Sequence, residues 1–333
     1  MNGIRMLKIT TIALFLAAVF ILNSTGIAAA CTIFTVSEDG VVLFGNNEDY
    51  TNPNTYYWVE PAQDSYYGGV YFGFDDFWPQ GGINEKGLSF DINSLPETPM
   101  IDHSELPYPD TYDGYSILRS CATVDEAIAH VRQFNWGPAM WGQIHVADAT
   151  GDAVVIGPGP DGELTFSRKG AGNGYLISTN FNVADPAGQE SECQRYQKAD
   201  ELLKKVGISE QLTPEYVKQV LNATHQESAD TNTLYSTIYD LKRGIILVYY
   251  FHQFEEVVEL NVKDLLDNKP EPVQLSSLFS ESVVENAESV ISRYRFLNTL
   301  GNILEILGIV AVSVLAFFAF RFWHKRKKRL SAG

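Results

Sequence analysis

The twenty residues from Cys31 to Tyr50, CTIFTVSEDGVVLFGNNEDY, restrict the possible folds more than any other stretch. Thr32 to Val36 and Val41 to Phe44 are rich in β-branched and aromatic residues and flank Glu38-Asp39-Gly40. That pattern predicts two short antiparallel strands joined by a tight turn. Asn46-Asn47-Glu48-Asp49 closes the second strand with polar groups directed back at the first, which sets Asp49 near the amino end of Cys31.

What precedes the hairpin gives Cys31 its interest. Arg5 and Lys8 form a basic start, Ile9 to Leu22 is apolar, and Ala28-Ala29-Ala30 fits the small-x-small rule of a signal-peptidase site. Residues 1–30 therefore read as a signal peptide. Cleavage after Ala30 makes Cys31 the first residue, with a free amine of pKa roughly 8 beside a thiol. Such a pair is a nucleophile with its own base. The plainer alternatives are an unpaired buried cysteine and an acylated lipoprotein cysteine. The second sits poorly with Ala28, where a lipobox usually carries Leu.

The formal net charge is −17. Eight of the 24 basic residues lie in the first 30 or after Phe320, so 31–320 holds 16 basic against 41 acidic residues, a net of −25. A segment so acidic is a poor partner for nucleic acid or anionic lipid. It tolerates cationic substrates, although solubility is explanation enough. Besides Cys31 there are Cys121 and Cys193, which either pair in an oxidising compartment or stay free.

Tyr56 to Trp78 holds ten aromatic residues among glycines and prolines, suited to sheet core and to pocket walls. Gly81 to Leu88 reads as a turn into a strand at Ser89–Ile92, and the proline-rich 95–113 as a lid or entry loop. Thr123 to Phe134 has helical spacing, with Val124, Ala127, Ile128 and Val131 on one face and Thr123 as N-cap. A hairpin follows at Gly142–Ala147 and Ala153–Gly157, then a strand at Tyr175–Ser178, helices at Glu192–Val206 and Pro214–Leu221, and a last hairpin at Leu234–Asp240 and Gly244–Phe251. The expected class is α+β with mostly antiparallel sheet.

No GxGxxG, P-loop, CxxC pair or HExxH occurs, so no nucleotide or zinc motif is present. His130 and His145 fall in regular elements where structural roles are commoner, and a Cys/His dyad with His145 or His252 has no local signature. Leu300 to Phe320 is apolar apart from Asn302 and Glu305, about the length that crosses a bilayer core. The cluster His324 to Arg329 behind it predicts a cytoplasmic tail and an extracytoplasmic acidic domain. The resulting layout is a signal peptide at 1–30, a catalytic domain at 31–280, a stem at 281–299, a transmembrane helix at 300–323 and a basic tail at 324–333.

These blocks together resemble the choloylglycine hydrolase and penicillin V acylase family of linear-amide hydrolases, whose nucleophile is an N-terminal cysteine. The similar segments are CTIFTVSEDGVVLFGNNEDY, INEKGLSF at 83–90, STNF at 178–181, CQRYQKA at 193–199 and TLYSTIYDLKRGIILVYY at 233–250, in the family's order. The resemblance implies an Ntn-hydrolase αββα sandwich of two mostly antiparallel sheets. It implies Cys31 as nucleophile and base, Asp49 orienting its amine, Asn180 donating to the oxyanion, and Arg195 beside the thiol, lowering its pKa. A second oxyanion donor is implied at Asn93 or Ser94.

One departure is Asn46, where bile-salt hydrolases place Arg after the glycine. The Gly-Asn-Asn-Glu-Asp variant resembles the branch with carcinine hydrolase and isopenicillin-type acyltransferases. The expected activity is hydrolysis of a small linear amide through a Cys31 thioester, without metal or organic cofactor, in a single-pass membrane protein. The alternatives are an acyltransferase on the same scaffold and a non-catalytic, surface-anchored binding protein. Oligomeric state is left open.

Overall fold

The computed structural model describes residues 31–109, 113–185, 192–228 and 231–330. The predicted signal peptide lies outside them. The chain divides into two units, Ala28–Glu288 and a terminal one that includes Ser289–Gly333.

The first hairpin forms as its residues predict. β1 (Thr32–Glu38) and β2 (Val41–Tyr50) pair antiparallel. Asp39 and Gly40 both take positive φ, 47° and 83°, so the backbone twist of the turn matches that of the strands. The polar run Asn46–Asp49 does not end β2 but continues it, with Thr32 opposite Asn47.

Twelve further strands follow. β3 (Thr55–Glu60), β4 (Gly69–Phe74), β5 (Pro79–Asn84), β6 (Ser89–Pro99), β7 (Ala139–Ala147), β8 (Ala153–Pro158) and β9 (Leu164–Arg168) join β14 (Val273–Gln274) in an eight-stranded sheet, order β14-β3-β4-β5-β6-β7-β8-β9. β10 (Gly174–Ser178), β11 (Asn232–Asp240), β12 (Ile245–Tyr250) and β13 (Gln253–Asn261) join the first hairpin in a six-stranded sheet, order β10-β1-β2-β11-β12-β13. Every pairing between these strands is antiparallel.

Each sheet packs one face on helices. α1 (Asp113–Ser120) and α2 (Val124–Val131) cover the eight-stranded sheet, where Ile117, Leu118, Val124, Ala127 and Val131 meet Phe90, Ile144, Val146 and Val154. Thr123 caps α2 as expected, its hydroxyl accepting from the Glu126 amide, a contact worth about 1 kcal/mol. α3 (Gln194–Leu203) and α4 (Pro214–Thr224) cover the six-stranded sheet, where Ala199, Leu203, Val217 and Leu221 meet Phe34, Val36, Leu43 and Ile238. The other faces meet each other. Phe44 of β2 packs edge-on to His145 of β7, and Phe72 of β4 lies against Tyr235 and Tyr239 of β11. This is the αββα sandwich expected.

Several local readings give way to tertiary context. Gly81 to Asn84 is strand rather than turn, the chain reversing only at Glu85–Gly87, and β6 carries the strand through the first prolines of the supposed loop. α1 begins where that loop ends, and β3, β4, β9, β13, β14 and α5 (Val262–Asn268) were not individually legible. Cys121 and Cys193 are free and sit in opposite helical layers, Cys121 among the α1–α2 contacts and Cys193 at the start of α3.

The final helix, α6, runs from Glu281 to Leu330. Within the terminal unit its apolar side chains from Leu300 to Trp323 are largely exposed. Among the described residues it is the one helix long and apolar enough to cross a membrane.

Candidate active site

Cys31 immediately precedes β1, and alternation along the strand fixes where it points. Phe34 and Val36 face the helical layer, so Cys31, Ile33 and Thr35 face the opposite sheet. Thr35 confirms the direction, its hydroxyl meeting His145 Nε2 of β7 at 3.0 Å. On β2 the same alternation turns Asn46 and Glu48 toward the second sheet and Asn47 and Asp49 toward the helices. Asn47 accordingly donates to the Leu221 carbonyl of α4 at 2.9 Å.

The backbone of Cys31 is held from both sides. Arg195 Nη1, from α3, donates to the Cys31 carbonyl at 2.7 Å and to the Thr32 hydroxyl at 2.9 Å. Asn93 Nδ2, from β6 of the other sheet, donates to the same carbonyl at 3.1 Å. Arg195 Nη2 also donates to Asn180 Oδ1 at 3.0 Å, and Asp49 Oδ2 lies 3.9 Å from Nη1. The Thr233 hydroxyl donates to Asp49 Oδ1. Five residues distant in sequence (Cys31, Asp49, Asn93, Asn180 and Arg195) thus form one network.

Two placements refine the expectations. Asn180 Nδ2 donates one of its two hydrogens to the Ser94 carbonyl at 3.0 Å, which fixes the orientation of the amide. Of the two residues named for a second donor, Asn93 reaches Cys31. Ser94 instead lines a cavity of about 500 Å³ with Trp136, Met140 and Trp141, on the opposite face of β6 from the thiol.

The electrostatics differ from those expected of a cysteine beside an arginine. Arg195 touches the Cys31 carbonyl rather than its sulfur. The thiol, 3 % exposed, instead donates to Glu48 Oε1 at 3.6 Å. Burial pushes its pKa well up, and the charges of Glu48, Asp49 and Asp91 push the same way. Glu48 is itself raised to about 7 by burial, against hydrogen bonds from Asn46 and Cys31. Burial also raises Asp49, outweighing Arg195 and Thr233, and raises Asp91, to which Glu48 adds. In the full-length chain, where Cys31 nitrogen is still in a peptide bond, the thiol is therefore kept protonated.

Glu48 and Asp91 are the residues that sequence reasoning missed. The signal was present at Gly81, where a Cβ would lie 2.2 Å from Asp91 Oδ2, so the glycine makes room for a buried carboxylate. Asn46, standing in place of a cation, donates Nδ2 to Glu48 Oε2 at 3.5 Å. Asn46 Oδ1, Asn93 Oδ1 and the Tyr235 hydroxyl are buried with no hydrogen-bond partner among the described residues. His145 does not serve the thiol. Its two nitrogens meet the Thr35 and Ser178 hydroxyls, and burial lowers its pKa to about 3, which makes it a neutral bridge between the sheets.

Comparison with solved structures places this architecture. Penicillin V acylase from Agrobacterium tumefaciens superposes with a TM-score of 0.57 at 18 % identity, covering 73 % of this chain and 90 % of that one. Two variants of conjugated bile acid hydrolase from Clostridium perfringens give TM-scores of 0.56 and 0.57 at 15 % identity, covering 73 % and 75 % of this chain and 96 % and 98 % of theirs. No family model and no curated protein matches the sequence. Likeness at this identity establishes the fold, and the fold is that of these amide hydrolases.

Proposed function

We propose that the chain, once cut before Cys31, hydrolyses a linear amide with Cys31 as nucleophile. The observation that carries this reading is the grip on the Cys31 carbonyl by Arg195 and Asn93. Side chains from two layers of the sandwich, α3 and β6, converge on this one carbonyl. The likeness in fold to penicillin V acylase and bile acid hydrolase supports it.

Cleavage changes the charge balance in the required direction. Three carboxylates (Glu48, Asp49 and Asp91) are buried here and only Asp49 is paired with a guanidinium, that of Arg195, among the described residues; uncompensated buried charge is costly. A new α-ammonium at Cys31 adds a cation there. The ammonium favours the ionised carboxylates, and its neutral amine form takes the thiol proton, which the uncut chain has no amine to accept. The sulfur then attacks the amide carbonyl, and the ammonium gives its proton to the departing amine. A thioester remains, and water activated by the same amine resolves it. Asp49 orients the amine. Asn180, through the second hydrogen of its amide, supplies an oxyanion donor of a kind typically worth ~3 kcal/mol.

The cellular setting follows the two ends of the sequence. Residues 1–30 direct export, α6 anchors the protein in the membrane, and the basic tail stays in the cytoplasm, with the catalytic domain outside.

The test is a panel of N-acyl amines and amino acids, including cationic ones, incubated with mature protein and with Cys31→Ala. Release of amine together with an acyl adduct on the Cys31 peptide supports the reading. Equal turnover by Cys31→Ala would refute it.

A further inference from the structure

A second cluster of functional side chains lies away from the thiol, where α4 ends and the β12–β13 hairpin turns. His225, Glu227 and His252 each offer a ligand atom there, all within 4.8 Å of one another. We propose that these three residues bind a divalent cation of the zinc class.

The chemistry of each residue suits that role. His225 Nδ1 lies 2.5 Å from the Asn222 carbonyl. A carbonyl only accepts, so Nδ1 carries the hydrogen, and Nε2 is the nitrogen left to bind a metal. Metal-binding imidazoles are fixed by this kind of second hydrogen bond. His252 stacks on His225, centroids 5.1 Å apart and planes 14° from parallel, and its Nε2 is buried without a hydrogen-bond partner among the described residues. The two rings stack face to face, and a shared cation would take one nitrogen from each.

The hairpin holds His252 there under strain. Phe251 and His252 form its two-residue turn with φ of 52° and 46°, a conformation that suits glycine or asparagine and is strained at other residues. Two nitrogens and one carboxylate oxygen select a borderline metal over calcium or magnesium, which prefer oxygen. Zinc bonds of about 2.0–2.2 Å in a tetrahedron set ligand atoms about 3.4 Å apart. The triad must therefore close by up to about 1.4 Å.

The site bears on the thiol through hydrogen bonds. The backbone amide of Gln226, between two of the ligands, donates to the Thr233 hydroxyl at 2.8 Å, and the Thr233 amide donates to the Gln226 carbonyl at 3.0 Å. The Thr233 hydroxyl in turn donates to Asp49. A cation at His225–Glu227–His252 would fix the segment that orients Asp49.

The test uses tag-free, full-chain protein in detergent, stripped with chelator and titrated with ZnCl2 by calorimetry and with CoCl2 by visible absorption. The expected result is one tight equivalent of Zn2+, an intense four- or five-coordinate Co2+ spectrum and a higher Tm. His225→Asn and His252→Asn should abolish all three, and Glu227→Gln should weaken Zn2+ binding by about tenfold or more. Glu227 is exposed, so that variant decides the matter if a histidine variant does not fold. Absence of a tight equivalent, or its retention in Glu227→Gln and the histidine variants alike, would overturn the proposal.

Discussion

The Cys31 thiol points at Glu48 across the first hairpin, sulfur to carboxylate oxygen 3.6 Å, because the register of β1 on β2 sets those two residues side by side on the face between the sheets. A buried acid with a pKa of about 7 beside a protonated thiol leaves a signature in the uncleaved chain. The folded pKa lies above the ordinary 4.5, so the folded state holds its proton longer than the unfolded one. Stability from this group is then full below about pH 4.5 and falls as pH rises toward 7. The loss is about 3 kcal/mol at most. In a chain kept intact by Ala30→Phe, chemical denaturation at pH 5 and 8 should show this decline, and Glu48→Gln should make it shallower, leaving the part due to Asp49 and Asp91.

Arg195 and Asp49 are expected to be coupled. Arg195→Ala removes the cation facing a buried carboxylate and should destabilise the protein by about 3 kcal/mol, since an unpaired buried charge is left behind. Adding Asp49→Asn should recover part of that loss. Additive effects in the double-mutant cycle would show that the 3.9 Å separation carries no interaction.

Gly81→Ala should cost about 1–3 kcal/mol, because the new methyl group meets the Asp91 carboxylate at 2.2 Å and the Phe90 carbonyl at 3.1 Å. Asp91→Ala in the same chain opens the first contact and should restore much of the loss. A single variant as stable as the parent in urea would show that the carboxylate has room elsewhere.

The remaining cysteines should behave as free thiols. Titration in denaturant without reductant should count three thiols per chain. In the native protein Cys193, half-buried, should alkylate well before Cys121, which burial pushes up to about 12. A count of one would indicate a disulfide, against their placement in opposite layers.

The hairpin, the capped helix α2 and the closing hairpin β11–β12 were legible because apolar spacing and turn residues agree there with the final structure. Asn46 to Asp49 read as a strand end because such residues favour turns. Pairing with β1 on one side and β11 on the other instead carries them through as strand. Glu48 and Asp91 could not be read as neighbours of the thiol, since their meeting depends on two sheets stacking. His225 and His252 meet only because a strand pair separates them, and no local motif marks them. Cys31, Asp49, Asn180 and Arg195 were named from the order of short motifs, whereas their hydrogen bonds required the fold.

The account rests on a free amine at Cys31, and mass spectrometry of the N-terminal peptide from membrane-expressed protein, before and after iodoacetamide, tests that directly. It predicts a mature chain beginning at unacylated Cys31 whose thiol alkylates once the amine is free. An intact leader, a cut elsewhere or a lipid on Cys31 would remove the base and contradict the mechanism.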